Sequence, residues 1–362
     1  PVTFLDTAGI DDESEIGSLR VSRTREALDS SDIAVLVCDA SAWTEYEDGL
    51  VSACADQKTP LIIVINKIDL HIPDAAFLDS LAGKAEHIIT LSCQNAFSDR
   101  NAREDLMLAL KKALIACAPE SFFEPPAILG DLLPSGSSLP IVVLIVPIDL
   151  QAPKGRLILP QVQSIRDALD SDAACIVVKE REYPALLASL ARPPDLVVCD
   201  SQVALKMVAD TPDGIPCTTF SILFSRFKGN IELMARGAAV LSNLKDGDRI
   251  LISEACTHHA LEDDIGRVKI PRWIRQYSGL ALDIDHAAGR DYPADLSLYS
   301  LVIHCGACTL TRREMLLRIE LARRVGIPVT NYGMAISALQ GVIERTLSPF
   351  PAALDAYREA LH

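Results

Sequence analysis

The run Leu61-Ile62-Ile63-Val64-Ile65-Asn66-Lys67-Ile68-Asp69 decides how this chain is to be read. Its apolar, mostly β-branched start is too short for a helix and suits a buried strand, and a polar loop closes it. Comparable apolar runs lie at 2–5, 33–38 and 87–91. Stretches of helical character at 18–28, 45–55 and 102–117 separate or follow them. Strand–helix alternation of this kind predicts an α/β fold, a parallel sheet with helices on both faces.

The same rhythm returns downstream. Residues 121–140 contain Pro125, Pro126, Pro134, Pro140, Gly130 and Gly136 and read as a linker. A second unit, 141–228, has strands expected at 141–146, 174–178, 196–199 and 217–220, with helices at 159–169, 182–190 and 203–209. It lacks a glycine-rich phosphate loop and a dense set of catalytic residue types, so a structural or oligomerising role is expected. A third unit, 229–362, opens with a helix at 231–241. Strands at 249–253 and 298–303 follow, then helices at 313–324 and 334–346. The first unit is taken as 1–120. The chain starts at Pro1, and its first strand starts at once, so it reads as beginning inside a domain.

Lys and Arg number 34 against 49 Asp and Glu, a formal charge of −15. Such a chain repels phosphates, which argues against non-specific binding to nucleic acid or an anionic membrane. No apolar run has membrane-spanning length, and no secretory signal is visible, so a cytoplasmic location is expected. Of the ten cysteines, seven stand singly in apolar strands or helices and read as small buried hydrophobes. Cys256, Cys305 and Cys308 do not.

Two tetrapeptides and a third loop carry a nucleotide reading. Asp6-Thr7-Ala8-Gly9 follows the first apolar run. In GTPases an aspartate there holds magnesium through water, and the glycine amide meets the γ-phosphate, an approach that only glycine permits. Asn66-Lys67-Ile68-Asp69 follows the run at 61–65. Asp69 can accept from the guanine ring N–H and amine, Asn66 can bond the ring edge and neighbouring loops, and the Lys67 stem can cover the base. Ser92-Cys93-Gln94 stands where a backbone N–H receives the guanine oxygen. Their order and spacing resemble the small GTPases of the translation-factor-related class. No G-x-x-x-x-G-K-[ST] phosphate loop occurs in the sequence, so weak GTP binding and little hydrolysis are expected of this chain.

Cys256-Thr257-His258 and His304-Cys305-Gly306-Ala307-Cys308 form the sharpest feature. Cys-x-x-Cys lets two thiolates reach one metal or cluster from one turn, which Gly306 is expected to relax. A third cysteine at another strand end supplies the next corner. Spacing alone leaves three possibilities open: a structural zinc site with one histidine, an iron–sulfur cluster, or a redox dithiol at Cys305 and Cys308.

The pattern Cys-x-His, then His-Cys-x-x-Cys, behind a GTPase half-signature resembles the [FeFe]-hydrogenase maturation GTPases, the HydF family. Val146-Pro147-Ile148-Asp149, the stretch 152–161, Ser221-Ile222-Leu223-Phe224, Glu254-Ala255-Cys256-Thr257-His258-His259 and Ile270-Pro271-Arg272-Trp273 extend that resemblance. It implies a GTPase domain, a dimerisation domain at 141–228 and a cluster domain at 229–362. It further implies a 4Fe-4S cluster on Cys256, Cys305 and Cys308. The exchangeable fourth ligand would be His258, His304, water, or a carboxylate of Glu262, Asp263 or Asp264. Both histidines have an alternative role, orienting thiolates from behind.

Implied too are GTP and Mg2+ for the full protein, a transient di-iron precursor as cargo, and no residue acting as a covalent catalyst. Radical SAM maturation enzymes and apo-hydrogenase would be partners of a homodimer, with no nucleic acid and no membrane. Two rivals remain: a GTPase with a structural zinc domain in ribosome or RNA work, and an interaction protein whose GTPase part is degenerate.

Overall fold

The computed structural model describes residues 2–7, 24, 27–39, 41, 43–119, 122–123, 126–136, 139–147, 156–255, 264–289, 291–293 and 295–362. Packing divides the chain into two units, Pro1–Pro125 and Pro126–His362.

In the first unit β1 (Ala34–Asp39), β2 (Leu61–Asn66) and β3 (His87–Thr90) form a parallel sheet in the order β1-β2-β3. The central β2 explains its own composition. Leu61, Ile63 and Ile65 face a core with Leu28, Cys54 and Leu81, while Ile62 and Val64 face Ala113 and Cys117. A strand covered on both faces has no polar side, hence the unbroken apolar run. On β1, Ala34, Leu36 and Cys38 are buried and Val35 and Val37 exposed, the alternation of a strand covered on one side.

The strand expected at 2–5 is not formed. Residues 2–7 carry no regular structure, with Val2, Phe4 and Leu5 exposed. An extended segment becomes a strand only where a neighbour takes its N–H and C=O groups, and this one is on no ladder. The helix expected at 18–28 falls largely outside the described residues. Two short helices escaped the sequence reading: Ala75–Ser80, capped by Asp74, and Cys93–Ser98, capped by Ser92.

The second unit holds two parallel sheets. In one, β4 (Ile141–Ile145), β5 (Ala174–Val178), β6 (Leu196–Cys199) and β7 (Cys217–Thr219) run in the order β5-β4-β6-β7. In the other, β8 (Arg249–Glu254), β9 (Asp283–Ala288), β10 (Leu301–His304) and β11 (Val329–Asn331) run in the order β11-β10-β8-β9. One apolar core joins them, with Leu144, Val198 and Phe224 from the first and Ala307, Leu310, Met315 and Met334 from the second.

Part of the expected linker is packed structure. Ile128 and Leu129 are buried in that core, and the N–H groups of Ile128, Leu129 and Gly130 all donate to Asp167 Oδ2, at 3.1, 2.8 and 2.8 Å. The stretch from Ile128 to Leu133 is packed against the core and is no free tether.

The expected strand at 217–220 ends a residue early, and a helix, Phe220–Lys228, starts where the Thr219 hydroxyl accepts from the Ile222 N–H. Six of its nine residues are buried and none is exposed, so it is packed on several sides. The helix expected at 334–346 is two, Tyr332–Leu339 and Ile343–Thr346, broken at Gly341, whose φ of 72° is left-handed. Helices Ile270–Ser278 and Pro351–Leu361 and strands β9 and β11 were not foreseen. In β9, Asp283-Ile284-Asp285-His286 hides the strand behind charge. Helix Ile231–Ala239 lies so close to β11 that a Cβ on Gly237 would stand 2.1 Å from the Val329 carbonyl oxygen.

Candidate metal centre and nucleotide edge

Strands β8 and β10 are adjacent and parallel, with Leu301 opposite Ile250 and His304 opposite Ser253. The chain therefore leaves both strands at the same edge of the sheet. The Cys305 N–H continues the ladder to the Ser253 carbonyl at 2.9 Å. In return the Ala255 N–H donates to Cys305 Sγ at 3.1 Å. An N–H aimed at sulfur favours the thiolate, the form that binds metal. Ala255 is the covalent neighbour of Cys256.

Cys305 and Cys308 are half-buried. The turn between them carries its left-handed residue at Ala307, with φ 51°, and not at Gly306 as expected. A Cβ on Gly306 would meet only Ser221 Oγ, at 3.8 Å. A left-handed alanine costs about 1 kcal/mol, so its surroundings must hold it. Lys228, at the end of helix Phe220–Lys228, is buried beside it. Its Nζ donates to the carbonyls of Ala307, Cys308 and Leu310 at 2.8, 3.1 and 2.7 Å. Burial lowers the proton affinity of this ammonium, and the sulfurs of Cys308 and Cys305 act in the opposite direction.

His304 is buried, 1% exposed, at the end of β10. An Arg318 guanidinium nitrogen lies 3.1 Å from its Nε2, and its Nδ1 lies 3.0 Å from the Cys305 carbonyl oxygen. Arginine can only donate, so Nε2 accepts and Nδ1 carries the hydrogen given to Cys305. Burial, with a smaller contribution from the Arg318 charge, pushes the ring's pKa down to about 4 despite the Cys305 carbonyl, so it stays neutral. In this arrangement both ring nitrogens are committed to protein partners. Arg318 is itself buried, donates to the Gly289 carbonyl at 2.7 Å and lies over the Tyr292 ring.

Around the same edge, Tyr332 Oη lies 3.4 Å from Glu254 Oε1, and burial together with the Cys305 sulfur and Glu254 raises its pKa well above the usual phenol value. Asp264 is buried and its carboxylate accepts from the Arg267 N–H at 2.8 Å, capping a π-helical turn at Ile265–Lys269. Cys256, His258, Glu262 and Asp263 lie outside the described residues. Among the described residues no group of three or more His, Cys, Asp or Glu side chains is placed to hold a metal ion. The two thiols on one turn, the N–H on Cys305 sulfur and the cation behind the turn are a donor set that fits an anionic thiolate-bound cluster, and also zinc.

The nucleotide motifs lie at the corresponding edge of the first sheet. Asn66 ends β2, and its Oδ1 accepts from the N–H of Lys67 at 2.8 Å and of Cys93 at 3.0 Å. The Asn66-Lys67-Ile68-Asp69 loop is thereby tied to the Ser92-Cys93 loop, and Lys67 takes a left-handed φ of 62°. Ser92 is buried and accepts from the Asn95 N–H. Lys67 Nζ pairs with Asp39, the last residue of β1, at 3.3 Å. The Asp39 carboxyl is held below the usual range, chiefly by the Ser41 N–H and hydroxyl, with Lys67 contributing. Asp69 is exposed, as is Asp6 in the irregular segment 2–7, and Gly9 lies outside the described residues.

Sequence reasoning passed over Lys228, Arg318 and Asp39. Lys228 carried no local signal, since the run before it, Phe220–Phe227, already mixes polar and apolar residues with Arg226 among them.

Comparison with known proteins finds three family matches along the chain. Residues 1–67 match the 50S ribosome-binding GTPase family, residues 128–229 the hydrogen maturase F dimerization domain, and residues 232–349 the hydrogen maturase F tetramerization domain. Similar curated proteins are tRNA modification GTPases MnmE. That of Acaryochloris marina is 36% identical over 26% of this chain and 20% of its own length. That of Natranaerobius thermophilus is 39% identical over 20% and 16%, and that of Prochlorococcus marinus 34% over 31% and 24%. The chain thus spans at most about a quarter of the length of these curated relatives. A solved structure described as LpCGTa in complex with UDP covers 91% of this chain and 95% of its own, at 12% identity and a TM-score of 0.19, too low to carry an argument.

A GTPase-family segment followed by two oligomerisation domains defines the class: an oligomeric α/β protein with a GTPase part. Both oligomerisation domains are those of hydrogen maturase F, and the chain belongs to the HydF-type hydrogenase maturases. Among the described residues no helix is long and apolar enough to cross a membrane.

Proposed function

We propose that this chain is a scaffold and carrier in [FeFe]-hydrogenase maturation, holding a 4Fe-4S cluster on Cys256, Cys305 and Cys308. It would take up a di-iron precursor made by radical SAM enzymes and pass it to apo-hydrogenase in a reducing cytoplasm. The observation that carries this reading is the pairing of β8 with β10, together with the Ala255 N–H on Cys305 Sγ. It brings the residue preceding Cys256 against the Cys305–Cys308 turn. His304 would act from behind the cysteines, orienting the turn through the Cys305 carbonyl, and would not be the fourth ligand. That position falls to His258, water or a nearby carboxylate.

On this reading residues 141–228 mediate dimerisation and 229–362 carry the cluster, while GTP with Mg2+ adjusts partner contacts in the full protein. Asn66, Lys67, Asp69 and the Ser92-Cys93 backbone would read the guanine, with Asp6 and Gly9 on the metal and γ-phosphate side. This polypeptide by itself should bind GTP more weakly than micromolar in calorimetric titration.

The test is anaerobic reconstitution with iron and sulfide, followed by metal analysis and electron paramagnetic resonance of the reduced protein. About four irons per chain and a reduced-cluster signal are expected. Protein that takes up zinc alone under these conditions would refute the carrier reading and favour a structural zinc site.

A further inference from the structure

Lys228 belongs to the last helix of one domain, yet its ammonium ends in the turn of the next. All three of its N–H donors are matched by carbonyls of that turn, those of Ala307, Cys308 and Leu310. Among the described residues no carboxylate lies within ion-pair distance of it. A buried cation without an acid partner is costly unless another anion answers it. The chain also stitches back, since Arg312, just beyond the turn, donates to the Phe227 carbonyl. Ala307, the left-handed residue of the turn, is itself buried in the shared core and bonded to Lys228 through its own carbonyl.

We infer that Lys228 is a positioning residue for the cluster: it clamps the Cys305–Cys308 turn across the domain seam and places a fixed positive charge behind the two sulfurs. The inference rests on the scaffold reading for the identity of the bound group, but the clamp itself does not. Three carbonyls drawn to one ammonium fix the backbone of the turn and hold both sulfurs at one edge. A resident cation also favours whichever state of a thiolate-bound cluster is more negative, so Lys228 should raise the reduction potential. A lysine that merely filled space would do neither.

Two variants separate clamp from charge. Lys228→Gln keeps donors and approximate size but loses the charge, whereas Lys228→Arg keeps the charge in a planar fork that cannot match three carbonyls. In the metal-free protein, backbone hydrogen exchange across 305–310 should quicken about tenfold in both variants, with the core strands β4 and β10 unchanged. In reconstituted protein the midpoint potential should fall for Lys228→Gln and stay at the wild-type value for Lys228→Arg.

Unchanged exchange at the turn in both variants overturns the clamp, and an equal midpoint in wild type and Lys228→Gln at full iron content overturns the charge role. Loss of the whole fold in Lys228→Gln, with Lys228→Arg like wild type in exchange, would make Lys228 a general core residue and also overturn the clamp. Failure of the wild type to take up iron defeats the scaffold reading alone, and the exchange data still judge the clamp.

Discussion

The two candidate site edges of this chain, the nucleotide edge and the cysteine edge, are built on opposite principles. Both lie where parallel strands end, β1 to β3 in the first unit and β8 with β10 in the second. At the nucleotide edge the chemistry-bearing residues fall in two short runs, with Lys67, Asp69 and Cys93 exposed, and are tied mainly to their own or the next loop, as Asn66 is to Lys67 and Cys93. At the cysteine edge the supporting groups are buried and distant in sequence: Lys228 reaches the Cys308 carbonyl across 80 residues, and Arg318 reaches His304 across 14. A soluble nucleotide needs an open edge with preset hydrogen-bond directions. A charged inorganic group bound through thiolates needs water excluded and charge supplied from the protein. Sequence locality therefore tracks the kind of ligand each edge suits.

That contrast can be broken at several points. The largest effect is expected from Cys305→Ser or Cys308→Ser. Each should cut iron after reconstitution from about four per chain to well under one, while hydrogen exchange in the first unit stays as in wild type. Retention of a full cluster would remove the cysteine edge from the comparison.

Next comes Arg318→Leu, which leaves His304 Nε2 and the Gly289 carbonyl without their buried donor. Chemical unfolding of the second unit should show a loss of about 2–4 kcal/mol, and a loss below about 1 kcal/mol would mean that the buried cation does not organise the site.

Asn66→Ala should be milder and local. Untying the two loops should cost about 1 kcal/mol, read as roughly fivefold to tenfold faster exchange at the Lys67 and Cys93 amides with iron content unaffected. The smallest effect belongs to Asp39→Asn. Its partner Lys67 is exposed, and ion pairs in water gain little over hydration, so the thermal midpoint should not move measurably. A large drop would show that the nucleotide edge also depends on charge held within the fold.

The motifs were legible because they are compact. Asn66-Lys67-Ile68-Asp69 and Cys305-Gly306-Ala307-Cys308 each place their functional groups within four residues, and the unbroken apolar β2, β4 and β6 advertise strands buried on both faces. Where tertiary context overrode local pattern, the reading failed. Phe220 was expected to end a strand, yet it opens helix Phe220–Lys228, which the Thr219 hydroxyl caps and burial holds in place. The segment 2–5 looked like a strand because apolar extended sequence needs a partner that sequence does not display. The glycine expected to bend the cysteine turn does not do so; an alanine does, held by a lysine from the preceding domain.

Sequence alone determined the α/β class, the order of the three strand–helix units and the residue types gathered at two loop sets, because periodicity and short motifs are properties of neighbouring residues. Only the tertiary structure decided that β8 and β10 are adjacent, that His304 has both ring nitrogens engaged, and that Lys228 and Arg318 close on the cysteine edge. Those outcomes depend on which distant surfaces exclude water together, and hydrogen bonds and charges acquire their strength only once that exclusion is complete.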